Sequence, residues 1–442
     1  MSGTLTTGKL ILTQTTSNND AFDRLRVSNP STLFEINHSV GKLPFLIDEF
    51  TSGSGTTSVA ILENSYIAMR TSAGFTGSMI RQSYEYVPYQ PGKSKLMIFS
   101  GVLEANNAGS TGILARIGCF DNYIEKTIVG GITGNGNGLF FELDNKTLNI
   151  VERLNLTGTT GTENRVSRSS WNYDKFDGTG PSGITSLDFS KAMIFAMDQE
   201  WLGVGRVRYG FFVNGTFHVG HISNHSGIGT PTSTSITHPY TKTAKLPIRY
   251  EISSTRESAS AEMRMICTTV LSEGGYEPAG MSYSIGRITG VSITSTNLTP
   301  IIAIRLIETE PSNRKTLLLK ALSILNTSSN KSIQWDLYVF NDDTFFSNQS
   351  WKNVNTANSA AQYSDSITFT IPGDALPSTA LLIDSGYADV GVNISQFSYQ
   401  KYLASPLVNS SITGKSKVLC LCGISFSSNA SIHASLTWIE II

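Results

Sequence analysis

The feature that most constrains the fold is a hairpin near the middle of the chain, which reads GRVRYGFFV-NG-TFHVGHI from residue 205 to residue 222. Along its first arm, apolar residues alternate with arginine and glycine, which is the period-two pattern of a strand with one buried face. Asn214 and Gly215 then supply the positive-φ positions of a type I′ turn. An Asn-Gly turn between two alternating runs predicts an antiparallel hairpin.

The rest of the chain repeats this pattern, with short apolar runs, turns rich in Gly, Asn and Ser, and little helical periodicity. A second hairpin is predicted over residues 138–154, with Asp144 and Asn145 at its turn. Other strands are predicted over residues 95–103, 193–201, 247–253, 262–272, 300–308, 314–325, 333–340, 366–371, 417–424 and 430–442. Many antiparallel strands separated by turn residues are typical of a sandwich or barrel. We therefore predict an all-β protein with two β-sandwich domains of jelly-roll or lectin-like type in series.

A chain of 442 residues is too long for one ordinary core and predicts more than one domain. Residues 1–30 are rich in Thr, Ser and Asn and predict an extended N-terminal arm, with a frayed terminus as the alternative. The larger, lectin-like sandwich is expected over residues 31–280. A shift in composition predicts a linker over residues 281–298, and residues 299–442 then form the smaller C-terminal sandwich.

Composition excludes several classes of function. The net charge is −1, with no basic block of five or more residues, so the chain lacks the electrostatic surface that binds nucleic acid. The sequence contains no run of 18 apolar residues, so it predicts no membrane-spanning helix. Its N-terminus lacks the apolar core of a signal peptide. Cys420 and Cys422 share one face of a predicted buried strand, and no second cysteine pair completes a zinc site. We expect buried free thiols, no metal and no cofactor.

The best candidate for a contact surface is a long polar loop over residues 158–183, which carries Trp171, Tyr173 and Phe176. Long loops that lack regular structure are often functional. Trp351 lies in a second loop, in the C-terminal part of the chain. Exposed aromatic rings stack on sugars, so these four residues are predicted to form surface or glycan contacts.

One pair of carboxylates has the spacing of a glycosidase motif. Glu142 and Asp144 stand two apart on a predicted strand, as in the E-x-D-x-x-E run of laminarinase-like glycosidases on lectin-type sandwiches. Position 147 is Thr147, so the third carboxylate of that run is missing. Glycoside cleavage needs a pair of carboxylates, and Asp144 fits better as a turn residue.

A group of three histidines, His218, His221 and His225, follows in HVGHISNH. On a regular strand His218 and His221 point to opposite sides, so they cannot both bind one metal ion without a bulge. With neither pattern complete, the sequence predicts a protein that is not an enzyme.

Four segments are similar to a known group of proteins: AFDRLRVSNPSTLF at 21–34, VPYQPGKSKLMIFSG at 87–101, LPIRYEI at 246–252 and ICTTVLSEGGYEPAG at 266–280. They resemble a family of β-rich virion structural proteins of tailed bacteriophages and other large DNA viruses, many of them aquatic. The C-terminal part is similar as well, through LLLKALSIL, IQWDLYVF, LIDSGYAD and the final TWIEII. The resemblance covers most of the chain and carries no catalytic residues.

The resemblance implies a non-enzymatic structural component of a virus particle, as a fibre, spike, tail-attachment or capsid-decoration subunit. Its expected partners are other virion proteins (capsid, portal, tail or fibre subunits) and further copies of itself, with a homotrimer favoured. The alternative is a carbohydrate- or host-receptor-binding module of a viral fibre, in which the predicted loop aromatics attach to a surface glycan. A glycan-cleaving enzyme is the third hypothesis, and the sequence offers no convincing carboxylate pair for it.

Overall fold

The structure is a computed structural model. It describes residues 3–6, 9–12, 19–53, 55–74, 76–106, 111–122, 135–156, 161–227, 237–255, 260–277, 279–309, 314–341, 343–367, 371–372, 380–396 and 407–441.

These residues form two compact units: a first unit that contains almost all of them up to Glu277, and a second unit that contains those from 279 onward. Strands dominate both units. Helical residues in the described part of the chain are confined to short 3-10 turns, at His38–Val40, Leu62–Asn64, Arg168–Ser170 and Thr344–Phe346, and to the single residue Arg314. None of the helices there has the length and apolar composition that a bilayer span requires.

The first unit begins with a small hairpin and continues as two large antiparallel sheets. Its strands are β1 (Gly3–Thr6), β2 (Lys9–Leu12), β3 (Ser31–Asn37), β4 (Ile47–Gly53), β5 (Thr56–Ile61), β6 (Tyr66–Thr71), β7 (Gly77–Val87), β8 (Lys95–Asn106), β9 (Ile113–Asn122), β10 (Asn135–Asp144), β11 (Thr147–Leu154), β12 (Thr162–Ser167), β13 (Met193–Gln199), β14 (Val207–Val213), β15 (Thr216–Ser223), β16 (Leu246–Ser254) and β17 (Ala261–Ser272). One sheet has the order β12-β11-β10-β9-β16-β7-β4. The other has the order β15-β14-β13-β8-β17-β6-β5, with β3 also paired to β17.

The core of the first unit lies between these two sheets. Phe141 on β10 packs across the gap against Phe195 on β13 and Phe211 on β14, with ring centroids 5.3 and 5.7 Å apart. Alternate residues of each strand supply this core because successive side chains of a strand point to opposite faces. The arrangement confirms the predicted lectin-like sandwich.

Both predicted hairpins of the first unit are present. Asn214 (φ 50°) and Gly215 (φ 78°) join β14 to β15 in the left-handed conformations of a type I′ turn, as the sequence predicts. The turn between β10 and β11 is displaced by one residue from its predicted position. Asn145 (φ 47°) and Lys146 (φ 62°) occupy the two left-handed positions, and Asp144 pairs with Thr147 as the last residue of the strand.

The second unit is also a sandwich. Its strands are β18 (Gly280–Ile293), β19 (Asn297–Leu306), β20 (Thr316–Asn326), β21 (Ile333–Phe340), β22 (Lys352–Asn353), β23 (Ala361–Ser364), β24 (Ile371–Pro372), β25 (Ala380–Ala388), β26 (Gly391–Gln396), β27 (Leu407–Val408), β28 (Val418–Ser425) and β29 (Ala430–Ile441). One sheet has the order β18-β29-β20-β26, with β27 paired to β20. The other has the order β22-β23-β19-β28-β21-β25, with β24 paired to β19. Leu322 and Trp438 from the first of these sheets share a buried core with Ile304 and Leu421 from the second.

Two predictions about the second unit can be compared with its structure. Cys420 and Cys422 are free and buried on β28, with their sulfur atoms 3.7 Å apart, as the sequence predicts. The segment predicted as a linker, 281–298, instead contains most of β18, which pairs with β29 from Gly280 to Ile293. The alternation of apolar and polar residues in that segment is therefore that of a sheet strand.

The predicted N-terminal arm, residues 1–30, contains two kinds of structure. Strands β1 and β2 pair as a hairpin, and residues 19–28 form a turn that is bonded to the first unit. Residues 13–18, between these two parts, lie outside the described residues.

A bulge in β15 determines how the long loop after Arg168–Ser170 packs. The pairing of β14 with β15 shifts at Gly220, so that Tyr209 is opposite His221 and Gly210 is opposite Val219. Trp171 packs over Gly220, which has no side chain, and stacks on Phe211 at a centroid distance of 6.2 Å. The indole nitrogen of Trp171 donates to the Val166 carbonyl, at 3.2 Å. The loop is thus fixed to the core through its aromatic residues.

We expect Gly220→Ala to destabilise the first unit, because a Cβ at this position would lie 2.5 Å from the Trp171 ring and 2.8 Å from the Phe176 ring. Overpacking of this kind costs about 1–3 kcal/mol. Urea denaturation followed by tryptophan fluorescence would measure the loss. Gly275→Ala is the matched control, since a Cβ there has no neighbouring atom within 4 Å. Equal midpoints for the two variants would contradict the packing described here.

Candidate functional site

The N-terminal segment, residues 19–28, folds into a tight turn that starts at the buried Asp20. One carboxylate oxygen of Asp20 accepts hydrogen bonds from the backbone N–H groups of Phe22 and Arg24, both at 2.9 Å. Its other oxygen accepts from the Arg24 guanidinium, at 2.6 Å. Asp23 lies at the tip of the turn with φ 61°, a left-handed conformation that Asp tolerates better than most residues.

Asp198 on β13 fastens this segment to the sandwich. Its side chain is fully buried and accepts hydrogen bonds from Ser94 Oγ, at 2.6 Å, and from Arg26 Nη2, at 2.7 Å. Arg208 on β14 bonds the same carboxylate and also the Asn19 carbonyl. A buried carboxylate is stable only when it is paired, and here two guanidinium groups and a hydroxyl provide the pairing.

A polar pocket of about 290 Å³ opens where the N-terminal turn meets the loop between β13 and β14 and the residues after β15. We call it the Glu200 pocket. It is lined by Phe22, Asp23, Glu200, Val204, Gly205, Arg206, Asn224, His225 and Ser226.

Glu200 stands at the start of the tight loop over residues 200–206. Its backbone N–H donates to the Arg206 carbonyl, at 2.9 Å, which closes the loop. Burial raises the pKa of Glu200. The charge of Arg206 and a hydrogen bond from its backbone oppose the rise, and the charges of Asp20 and Asp23 add to it. Perturbed carboxyl groups in a pocket are candidates for catalysis or binding.

Asp23 has a different environment. Its carboxylate forms an ion pair with Arg206 Nη2, at 2.9 Å, and its side chain remains 43% exposed. Arg206 Nε also donates to the Ala21 carbonyl, at 2.8 Å, so this arginine holds the backbone of the turn as well as Asp23. The pocket therefore contains one half-buried carboxyl group, from Glu200, and one that is ion-paired with Arg206 and open to water.

The inner wall of the pocket is a buried ion pair between His225 and Glu152 on β11. His225 Nε2 lies 2.9 Å from Glu152 Oε2, and Nδ1 lies 2.6 Å from the Gly205 carbonyl oxygen. Both neighbours are acceptors, so both ring nitrogens donate and the imidazole is a cation. Tyr209 donates to the other oxygen of Glu152, at 3.0 Å, and the Tyr240 ring stacks on His225 at 4.0 Å. This pair ties β11 of one sheet to the end of β15 in the other.

The pKa values of the two partners follow from these contacts. Burial alone would raise the pKa of Glu152, but its hydrogen bond with His225 and the charge of that imidazole hold the pKa below its usual value. Burial alone would lower the pKa of His225, but the hydrogen bond and charge of Glu152 raise it. With both nitrogens engaged, His225 has a structural role in the pocket wall.

The other two histidines of HVGHISNH lie on one side of β15. The bulge at Gly220 places His218 opposite Phe211 and His221 opposite Tyr209, so both point toward the same face. Even so, no three His, Cys, Asp or Glu side chains in the described part of the chain are grouped so that they could hold a metal ion.

Three of the four aromatic residues predicted to form surface contacts are not surface rings. Trp171 and Phe176 belong to the core of the first unit, because the bulge at Gly220 leaves space for them beneath the loop. Trp351 is half-buried in the second unit, where the Arg305 guanidinium lies 4.4 Å from its ring centroid. Only Tyr173, which is 39% exposed, can stack on a ligand. The sequence alone does not show which of these rings are buried, because each lies in an irregular segment.

The carboxylate pair Glu142 and Asp144 does not form a site. Glu142 is buried and accepts hydrogen bonds from Arg116 Nε and Arg165 Nε, both at 2.8 Å. Burial would raise the pKa of Glu142, but the two arginines outweigh it and hold the pKa below its usual value. Arg116 also donates to Glu251, at 2.7 Å, so Glu142 is one member of a charge network across three strands.

A second concavity, of about 530 Å³, lies over β3, β8 and β17. Its lining includes the apolar Val40, Leu43, Leu46 and Ile194, together with Glu35, Asn37 and Cys267. The Glu200 pocket is the more polar of the two and is the candidate site.

The sequence matches no known protein family and no curated protein. Several solved structures share the fold. They include a carbohydrate esterase from the Shiga toxin-encoding bacteriophage phi24B, at 12% identity over 55% of this chain and 99% of that one, with a TM-score of 0.30. An endo-β-1,4-glucuronan lyase from the fungus Trichoderma reesei matches at 10% identity over 54% and 95%, with a TM-score of 0.34. Peanut lectin matches at 12% identity over 55% and 98%, with a TM-score of 0.28.

At these identities the likeness concerns the fold alone, which is lectin-like. It corrects the prediction that the chain is not an enzyme. That prediction was drawn from two incomplete motifs, and the solved structures that share the fold include a carbohydrate esterase and a glucuronan lyase.

We expect His225→Gln to destabilise the first unit by about 3 kcal/mol near pH 5.5, because it leaves Glu152 buried without its charge partner. The contribution of His225 is present below its unfolded pKa of about 6.5 and is lost as pH rises through its raised folded pKa. The contribution of Glu152 is present above its unfolded pKa of about 4.3 and is lost as pH falls through its lowered folded pKa. The stability difference between wild type and variant should therefore peak between these limits.

Urea denaturation at a series of pH values would measure this difference. His238→Gln is the control, because the described contacts of His238 do not include Glu152. A stability difference for His225→Gln that stays flat from pH 4 to pH 8 would show that the pair is not ionic.

Proposed function

We propose that this chain is a component of a virus particle and that its first unit recognises carbohydrate in the Glu200 pocket. The observation that supports binding is the chemistry of the pocket. Within one concavity it presents two carboxyl groups, a guanidinium, an amide and a hydroxyl, with the Phe22 ring beside them. Sugars offer several hydroxyl groups and an apolar ring face, and such a set of donors, acceptors and aromatic surface complements them.

The charge of the pocket favours a neutral sugar. Asp23 and Glu200 contribute two carboxyl groups against the single guanidinium of Arg206, while His225 is neutralised by Glu152. An anionic sugar would meet like charge at short range, which disfavours binding. Tyr173 is exposed but does not line the pocket, so its predicted contact with a glycan is a separate proposal.

The role in a virus particle is supported by the position in the fold of the segments that resemble virion structural proteins. The segments AFDRLRVS, PGKSK and LSEGG provide Arg26, Ser94 and Glu273, respectively. Arg26 and Ser94 both donate hydrogen bonds to Asp198, and Arg26 also bonds Glu273, so the three segments meet in one cluster. This cluster anchors the chain at residue 19, and the β1–β2 hairpin precedes that point in the sequence. We propose that this hairpin contacts other virion proteins and that the protein is a homotrimer.

We expect Val204→Trp to abolish glycan binding, because a larger side chain on this exposed lining residue fills the pocket without removing a polar contact. Binding would be measured on an array of neutral and acidic glycans and by titration of the best ligand. We expect Val204→Trp to lose affinity by roughly tenfold or more, equivalent to about 1.4 kcal/mol. Val59→Trp is the matched control, since Val59 is exposed on β5 and does not line the pocket. A wild-type protein that binds no glycan, or equal binding by both variants, would contradict the proposal.

We expect a trimer in solution that persists when residues 1–18 are deleted, because those residues precede the anchored turn. Light scattering would give the mass in units of the 47.9 kDa chain. Deleting residues 1–30 also removes Asp20, Arg24 and Arg26 and should lower the stability of the first unit. A monomer in both the full chain and the 1–18 deletion would overturn the trimer.

A further inference from the structure

We propose that the second unit carries a binding site for neutral polysaccharide on one face of its β25–β21–β28 sheet, where Tyr387 and Phe426 stack on sugar rings. We call this site the Tyr387 face, formed by Tyr387, Phe426, Gln334, Ile424 and Ser385. Its residues are different from those of the Glu200 pocket, and the inference does not rest on the function proposed for that pocket.

Strand pairing places these residues on one side of the sheet. Gln334 on β21 is directly opposite Tyr387 on β25 and Ile424 on β28. Residues opposite each other on neighbouring strands point to the same face, so the three side chains form a row across the sheet. Phe426 follows β28, and its ring centroid lies 5.8 Å from that of Tyr387, with 35° between the ring planes. The two aromatic rings are therefore neighbours on this face.

The Tyr387 face points away from the core of the second unit. Trp335, the residue after Gln334 on β21, belongs to that core and is opposite Gly386. Successive side chains of a strand point to opposite faces, so Gln334 and Tyr387 point outward.

The outward side of the sheet is covered at one end and exposed at the other. At the covered end Phe346, from the 3-10 turn, packs on Phe340 of β21 with ring centroids 5.0 Å apart. At the other end Tyr387 is 68% exposed and Phe426 is 57% exposed, and neither ring belongs to a core cluster of the described residues. Large apolar side chains that are exposed next to each other indicate a contact surface.

The backbone that carries the two rings is fixed. The Trp335 ring packs against Gly386, where a Cβ would lie 2.6 Å from the indole, so β25 lies close against β21 beside Tyr387. The backbone N–H of Phe426 donates to the Ser332 carbonyl, at 3.3 Å. Rings on a fixed backbone lose less conformational entropy when a ligand binds, which favours affinity.

The polar groups around the rings suit a neutral ligand. Gln334 contributes a half-buried amide and Ser385 an exposed hydroxyl. At the rim, Asp389 and Lys331 carry opposite charges, and each is hydrogen-bonded within the protein. Ring surfaces, uncharged polar groups and balanced charges together complement the apolar ring face and the hydroxyl groups of a neutral sugar.

The exposed apolar area favours a glycan over a protein partner. At roughly 200 Å² for a whole aromatic side chain, the exposed parts of the two rings amount to about 250 Å². A stable protein interface buries about 800 Å² on each partner. A short glycan contacts only these two rings, whereas a polysaccharide presents the same sugar many times, and repeated contacts raise its overall affinity. We therefore expect this face to retain polysaccharides and not the short glycans of an array.

The experiment uses the full chain and affinity electrophoresis in gels that contain a soluble neutral glucan, mannan or galactan. The variants are Tyr387→Ala, Phe426→Ala and Tyr387→Phe. Ile288→Ala is the matched control, because Ile288 is an exposed apolar residue on β18, which belongs to the other sheet of the second unit. We expect at least one polysaccharide to retard wild type and each alanine variant to lose affinity by roughly tenfold or more. Tyr387→Phe, which keeps the ring, and the control should bind as wild type does.

Val204→Trp separates this site from the Glu200 pocket. Polysaccharide binding that survives Val204→Trp and is lost in Tyr387→Ala would support the Tyr387 face. Binding that is lost in Val204→Trp and kept in Tyr387→Ala would belong to the pocket and overturn the Tyr387 face. If none of the three polymers retards wild type, the Tyr387 face is overturned, while the pocket proposal still depends on its own array and titration.

Light scattering tests whether a second copy of the chain occupies the face instead. A lower mass for Tyr387→Ala and Phe426→Ala than for wild type would show a contact between subunits and overturn the glycan site. An unchanged mass together with lost retardation would support it. Circular dichroism would confirm that each variant is folded, which we expect because both rings are exposed.

Discussion

The buried carboxylate of Asp198 is the interaction on which the candidate site depends. It lies on β13 and is bonded by Ser94, Arg26 and Arg208. A buried charge without partners is costly, so this carboxylate requires its surrounding cations, and one of them belongs to the N-terminal segment. The segment is thereby fixed against the sandwich, and Asp23 lies beside Arg206 and the loop that carries Glu200.

The bulge at Gly220, in β15, likewise fixes a loop against the sandwich. It allows Trp171 and Phe176 to enter the core beside Phe211, so the long loop is fixed by packing as well as by hydrogen bonds. Two residues after this strand ends lies His225, whose ion pair with Glu152 closes the inner wall of the pocket. Strand irregularity and a buried charge pair thus act together to give this end of the sandwich a defined shape.

Much of the fold could be predicted from the sequence because strand alternation and turn chemistry are local. The Asn214-Gly215 turn was predicted correctly, and residues 314–325 were correctly predicted as strand although their apolar run also suits a helix. The turn at Asp144 was misplaced by one residue, since Asp, Asn and Lys in sequence leave two registers open. The exposure of Trp171 was mispredicted because an isolated glycine in a strand does not reveal what packs over it.

The candidate site could not be predicted in the same way, because no local pattern contains it. Its residues come from three separate segments, at 22–23, 200–206 and 224–226, and their meeting depends on pairings such as that of Arg206 with the Ala21 carbonyl. Glu200 carries no motif, and only its place in the folded pocket distinguishes it from other glutamates. Position and burial of this kind are properties of the folded chain.

The docking of the N-terminal turn also affects when the site can form. Arg26 bonds Glu273, 247 positions later in the chain, and Arg206 bonds Ala21 across 185 positions. Such high contact order makes folding slow, because the chain must close long loops before these contacts form. During synthesis the first of these residues leave the ribosome long before their partners exist. The pocket is therefore absent from nascent chains that end before Ser226, its last lining residue, and the N-terminal turn gains its contact with Glu273 only after the last strand of the first unit has been made.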